Sequence, residues 1–131
     1  AIGQRAEKVA RRARPARVEV GPLNVFPDAL ILEVHDEAGA LASLRRDLAA
    51  VAGADAFGLD DAQCLPHVTI AWFEAAEAGD ALRERLPSLR AAFAPVETFV
   101  RRFELARWWF TGLDDASGPE LDVVRQYALR G

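Results

Sequence analysis

Two hydrophobic periods alternate along this chain, and that alternation restricts the folds open to it. Leu41, Leu44, Leu48 and Val51 recur at helical spacing, which predicts an amphipathic helix over 38–52 that Gly53 would stop. Residues 3–14 are rich in helix formers and halt before Pro15, predicting a short polar helix. Around these the period falls to two. Ala16–Gly21 carries Val18 and Val20 on one face and is expected to break at Gly21-Pro22, and Ala29–His35 reads as a second strand that closes a hairpin with it. Residues 66–73 predict a third strand. Asp80 is expected to cap a helix from Ala81 to about Leu86, with Pro87 kinking it or opening a new turn to Phe93, so that the helix comes in two pieces. Val96–Phe110 is strand-like but does not separate by face, which predicts a bulge. After a loop at 112–119, Leu121–Leu129 alternates as the fifth strand. The order α-β-β-α-β-α-β-β predicts an α+β fold with helices packed on a largely antiparallel sheet, and 131 residues suit one domain spanning 1–131.

Composition narrows the function classes. No apolar run approaches the roughly 20 residues of a membrane-spanning helix, and no signal-peptide pattern opens the chain, so no membrane is expected. A net charge of −4 argues against a bulk nucleic-acid coat yet leaves room for a small basic cleft that grips one phosphate. The one cysteine, Cys64, can form no intrachain bridge and fits a cytoplasmic location. No second histidine or acid is placed to activate it as a nucleophile. No cluster of His, Cys, Asp or Glu has metal-ligand spacing, so neither metal nor cofactor is expected.

Chemistry concentrates in the third strand. Successive strand side chains point to opposite faces, so His67 and Thr69 emerge together while Val68 and Ile70 enter the opposite face, which is expected to be buried. An imidazole can give or take a proton at neutral pH, and a hydroxyl one strand repeat away can hydrogen-bond a phosphate oxygen; phosphodiester cleavage needs both. Spacing alone does not decide the matter, because a histidine two residues from a threonine on a half-exposed strand is more often structural.

The segment Leu65-Pro66-His67-Val68-Thr69-Ile70-Ala71-Trp72 resembles the P-H-[hydrophobic]-[ST]-[hydrophobic] motif of the two-histidine phosphoesterases, the LigT-like or 2'-5' RNA ligase family. The Gly21-Pro22 strand end, the Phe26-Pro27 turn, the apolar strand 29–35 and the amphipathic helix follow in the order of that family's C-terminal half. The resemblance covers about Glu7 to Leu129. It implies a bilobal α+β fold carrying two H-x-[ST] motifs that face each other across a cleft. It also implies metal-independent chemistry on RNA ends or nucleotides bearing a 2',3'-cyclic phosphate or a 2'-5' linkage. On this resemblance His67 is the general acid or base and Thr69 holds a phosphate oxygen. The other histidine, His35, is followed by Asp36 and Glu37, so it makes no second motif and reads as a solvated strand end. The first motif is therefore expected upstream of Ala1, with this chain the C-terminal portion of the domain. The alternatives are a non-catalytic module that binds nucleotide or phosphate, and a dimer in which each chain supplies one His67.

Three more residues are candidate substrate contacts. Phe73 shares the His67 side by alternation and could stack on a nucleobase, Arg101 could grip phosphate, and Tyr127 could line the site. Each has a plainer reading: packing for Phe73 and Tyr127, surface charge for Arg101.

Overall fold

The computed structural model describes residues 2–53, 65–109 and 120–131. Cys64, Phe110 and the predicted loop at 112–119 lie outside the described residues. The elements run α1 (Ile2–Arg12), β1 (Ala16–Val25), β2 (Ala29–His35), α2 (Ala40–Ala52), β3 (His67–Trp72), α3 (Ala76–Ala92), β4 (Val96–Val100), β5 (Arg102–Trp109) and β6 (Glu120–Ala128). The fold is α+β, as the mixed periods require. Its strands form a four-stranded sheet in the order β3-β2-β1-β4 and a two-stranded sheet of β5 and β6, with antiparallel pairing for β1–β2, β2–β3 and β5–β6. The chain divides into two compact units: Ala1–Arg17, Asp36–Cys64 and Phe99–Gly131 make the first, Val18–His35 and Leu65–Thr98 the second.

In the first unit, α1 buries Ala6 and Ala10, one turn apart, and these small side chains let the helix approach a core of Leu44, Tyr127 and Leu129. Phe103 stacks on Tyr127 with ring centroids 5.0 Å apart, and Val9, Leu48 and Leu105 complete the packing. Helix α2 starts at Ala40 rather than 38, and Asp36 explains the shift. Its carboxylate accepts from the backbone N–H groups of Ala40 (3.0 Å), Leu41 (2.8 Å) and Ala42 (3.2 Å), which satisfies three donors that have no partner inside the helix. Gly53 ends α2 as expected, at φ 100° with its N–H on the Ala49 carbonyl. The long β-like stretch splits at Arg101 into β4 and β5, which join different sheets, so the described residues hold six strands rather than five. The expected irregularity lies between Leu105 and Ala106, where Val124 is the extra residue on β6.

In the second unit, β1 does not stop at Gly21-Pro22. The ladder loses register between Val20 and Leu23 and resumes at Leu23 opposite Leu32. Gly21 takes φ 118°, which an L side chain rarely adopts, and a Cβ there would meet the Pro95 Cα at 3.0 Å; the close approach and the dihedral both require glycine. Helix α3 corrects two expectations. It begins at Ala76, so Asp80 lies inside it rather than capping it, and it runs unbroken through Pro87. The missing Pro87 N–H costs about 3 kcal/mol. The stripe Leu82, Leu86 and Leu89, half-buried across the proline, offsets this, since burying one leucine contributes about 1.5–3 kcal/mol. Leu82 and Leu89 face Leu30, Leu32, Val20 and Ile70 across a cavity of about 470 Å³. Val68 and Ile70 do lie opposite His67 and Thr69, but they remain 43% and 50% exposed, so that face is only partly covered.

Candidate functional site

Strand β3 owes its place to the β2 ladder, in which Thr69 lies opposite the fully buried Ile31 and His67 opposite Glu33. The Val34 N–H donates to the Pro66 carbonyl at 3.1 Å, which holds the residue before the histidine. His67 and Thr69 thus share one face of the sheet, His67 exposed and Thr69 half-buried.

The imidazole of His67 is held from two sides. Its Nδ1 lies 2.8 Å from the Leu65 carbonyl. A carbonyl can only accept, so Nδ1 carries the hydrogen, and in the neutral ring Nε2 keeps its lone pair. The Phe26 ring meets the imidazole edge-on at 5.0 Å and 65°. Phe26 is fixed in turn by its N–H, which donates to the Ala29 carbonyl at 2.7 Å. The side chain therefore presents a basic nitrogen in an orientation set by backbone and aromatic contacts, with the Thr69 hydroxyl two residues along the same face.

Glu33, across the ladder from His67, is a polar hub with 21% of its side chain exposed. Its Oε1 accepts from the Asn24 Nδ2 at 2.6 Å, its Oε2 lies 3.0 Å from the His35 Nε2, and the Arg90 guanidinium approaches to 4.0 Å while its Nε donates to the Leu23 carbonyl at 2.8 Å. His35, exposed at the end of β2, is thereby tied to Glu33. Arg83 pairs with Asp80 at 2.5 Å and donates to the Phe26 carbonyl at 3.4 Å, which places a cation beside the residue that touches His67. Among the described residues, no group of three or more His, Cys, Asp or Glu could hold a metal ion.

The other candidates fall as follows. Phe73 follows β3, donates its N–H to the Asp28 carbonyl at 2.9 Å, and lays its ring against Gly79 of α3, where a Cβ would sit 3.2 Å from it. Phe73 is thus in the same unit as His67 and Thr69. Arg101 and Tyr127 belong to the other unit. The exposed Arg101 guanidinium lies 5.0 Å over the Phe99 ring. Tyr127 is buried in the core, with the Arg125 guanidinium over its ring and its hydroxyl without a hydrogen-bond partner among the described residues. Arg83 and Arg90 carried no sequence signal, because long-range helix contacts bring them in, and Phe26 was legible as part of a turn but not as the neighbour of His67. Glu33 was visible on the Ile31–His35 face, but only the register sets it beside His67.

The site is thus an antiparallel β strand that presents a histidine and a threonine on one face within an α+β fold. The profile of the 2'-5' RNA ligase superfamily matches residues 1–109, and the chain belongs to that superfamily. The fold is also similar to the crystal structure of TT0787 of Thermus thermophilus, with a TM-score of 0.61 and 23% sequence identity over 98% of this chain and 68% of that one. No protein of curated function matches the sequence. No described helix is long and apolar enough to cross a membrane.

Proposed function

We propose that this protein is an RNA or nucleotide 2',3'-cyclic phosphodiesterase in which His67 transfers a proton and Thr69 holds a phosphate oxygen. The observation that carries the reading is the His67 ring. Its Nδ1 is engaged by the Leu65 carbonyl, which leaves Nε2 as the group that can take a proton from water or give one to a leaving oxygen. In hydrolysis, a water oxygen bonds to phosphorus as it loses a proton to a base. One ribose oxygen leaves as it gains a proton from an acid, and the ring opens to a phosphomonoester. His67 supplies one of these two transfers. Thr69 donates to a non-bridging oxygen, and Phe73, in the same unit, is the proposed contact to the base. Membership of the superfamily supports RNA as the substrate class. The lone cysteine supports a cytoplasmic setting.

A second reading has a specific observation behind it. These 131 residues contain one H-x-[ST] motif, and the other histidine, His35, is engaged with Glu33. One histidine cannot serve as acid and base at once, so a phosphate-binding module without turnover, or a site shared between two copies, uses the same residues. The test is hydrolysis of a 2',3'-cyclic nucleotide by the full-length protein and its His67→Ala variant. The enzyme reading expects kcat to fall about 10²- to 10⁴-fold. Equal turnover by the variant would refute a catalytic His67. A wild type that binds phosphate without turnover would favour the module.

A further inference from the structure

Charge is distributed very unevenly along the sequence. Residues 1–17 hold six cations against one carboxylate, whereas the remaining residues hold ten against nineteen. Helix α1 carries most of that excess and sorts it by face. Ala6 and Ala10 are buried and Val9 is packed against the core, while Arg5, Lys8 and Arg12 recur one and two turns apart along one edge of the helix. Their helical rise is about 4.5 Å from Arg5 to Lys8 and about 6 Å from Lys8 to Arg12. This edge forms one wall of a groove of about 320 Å³ between α1 and α2. Val9, Ala50 and Val51 supply apolar surface in it, and Asp47 is the one carboxylate among its described lining residues.

We propose that this groove is a second RNA-binding site. It takes a short single-stranded segment, with three successive backbone phosphates on Arg5, Lys8 and Arg12 and a base against Val9, Ala50 and Val51. The proposal rests on the reading that the protein acts on RNA. A row of cations tracks the phosphates of a single strand as basic grooves do without sequence preference, and the aliphatic floor, which has no aromatic ring among its described residues, offers a base face van der Waals contact. A membrane surface is the other polyanion that a basic helix can meet. Such a helix inserts its apolar face, and the apolar face of α1 is already spent on Ala6 and Ala10 in the core.

The experiment is fluorescence anisotropy of the full-length protein with a labelled single-stranded RNA of about ten nucleotides ending in a 3'-hydroxyl, from 50 to 200 mM salt. Three phosphate contacts contribute about 2 to the slope of log Kd against log salt, which is roughly a twentyfold loss of affinity across that range. The Arg5→Gln/Lys8→Gln/Arg12→Gln variant should lose this part of the slope and bind about tenfold or more weakly at 50 mM. An abasic strand should also bind more weakly than the intact one. If the triple variant fails to fold, Asp47→Arg supplies the opposite test, since removing the carboxylate should tighten binding and steepen the slope. Unchanged affinity and slope in a folded triple variant or in Asp47→Arg would overturn the proposal. So would equal affinity for the abasic strand, or binding to phosphatidylserine vesicles without binding to RNA. RNA ending in a hydroxyl has no cyclic phosphate to open, so this readout is blind to turnover; its failure leaves the His67 chemistry untouched, and failure of that chemistry leaves the groove untouched.

Discussion

Replacing Gly21 by alanine separates two costs that the second unit imposes on its sheet. At φ 118° an L residue is strained by about 1–3 kcal/mol. The new Cβ also meets the Pro95 Cα at 3.0 Å, and overpacking against backbone adds about 1–3 kcal/mol because no rotamer change can relieve it. Together these give about 2–6 kcal/mol. Gly53 is the control, at φ 100° with nothing within 4 Å among the described residues, so Gly53→Ala is expected to carry only the strain of about 1–3 kcal/mol. An unfolding entropy of about 2.1 cal/mol/K per residue over 131 residues is about 0.28 kcal/mol/K, so each kcal/mol lowers Tm by about 3.6 °C. Thermal unfolding followed by circular dichroism should show Tm falling roughly 7–22 °C for Gly21→Ala and roughly 4–11 °C for Gly53→Ala, with Gly21→Ala the worse of the pair. A Gly21→Ala protein as stable as Gly53→Ala would refute the contact with Pro95 as the reason for glycine at this position.

Other expectations follow from single contacts. Asp36→Ala removes the acceptor for three N–H groups at the start of α2 and should cost about 0.5–2 kcal/mol in a urea titration, whereas Asp36→Asn, which keeps an oxygen, should cost less. The Glu7 carboxyl is held below its ordinary pKa by the hydrogen bond and charge of Arg11 and by the nearby Arg125 and Arg130. Its small contribution to stability is therefore present above the unfolded carboxyl pKa and lost as pH falls through the lower folded value, so Glu7→Gln should flatten the stability profile in that acid window and nowhere else. Thr69→Val keeps the shape and deletes the hydroxyl, and should reduce kcat/KM for a 2',3'-cyclic nucleotide while leaving stability within about 1 kcal/mol of the wild type. Loss of stability without loss of kcat/KM would make Thr69 structural.

What the sequence revealed and what it hid divide along local and non-local physics. The stripe Leu41, Leu44, Leu48 and Val51 identified α2 because its period is set by neighbours within a turn, the two-residue alternation identified β6 and the start of β1, and the apolar segments 29–35 and 66–73 identified β2 and β3. The start of α2 was misplaced because its cap is supplied by Asp36, outside the helix, rather than by an adjacent side chain. Pro87 and Asp80 carried valid local signals for a break and a cap. Burial of Leu82, Leu86 and Leu89 along one face outweighed the first, and pairing of Asp80 with Arg83 took up the second. Arg101 was the least legible point, since nothing in its immediate sequence says that the chain leaves one sheet there and enters another. At the candidate site, His67 and Thr69 were legible from alternation and motif, whereas the Leu65 carbonyl and the Phe26 ring that orient the imidazole depend on a turn and a strand register.

The central claim is that His67 offers Nε2 to a phosphate while Nδ1 stays bound to the Leu65 carbonyl. Long-range ¹H–¹⁵N NMR spectra of the histidine rings, recorded above the ring pKa and titrated with inorganic phosphate, test it directly. The account predicts a neutral His67 ring with its hydrogen on Nδ1, and an Nε2 resonance that moves on phosphate addition while that of His35 moves less. A hydrogen found on Nε2, or a His67 ring indifferent to phosphate, would contradict it.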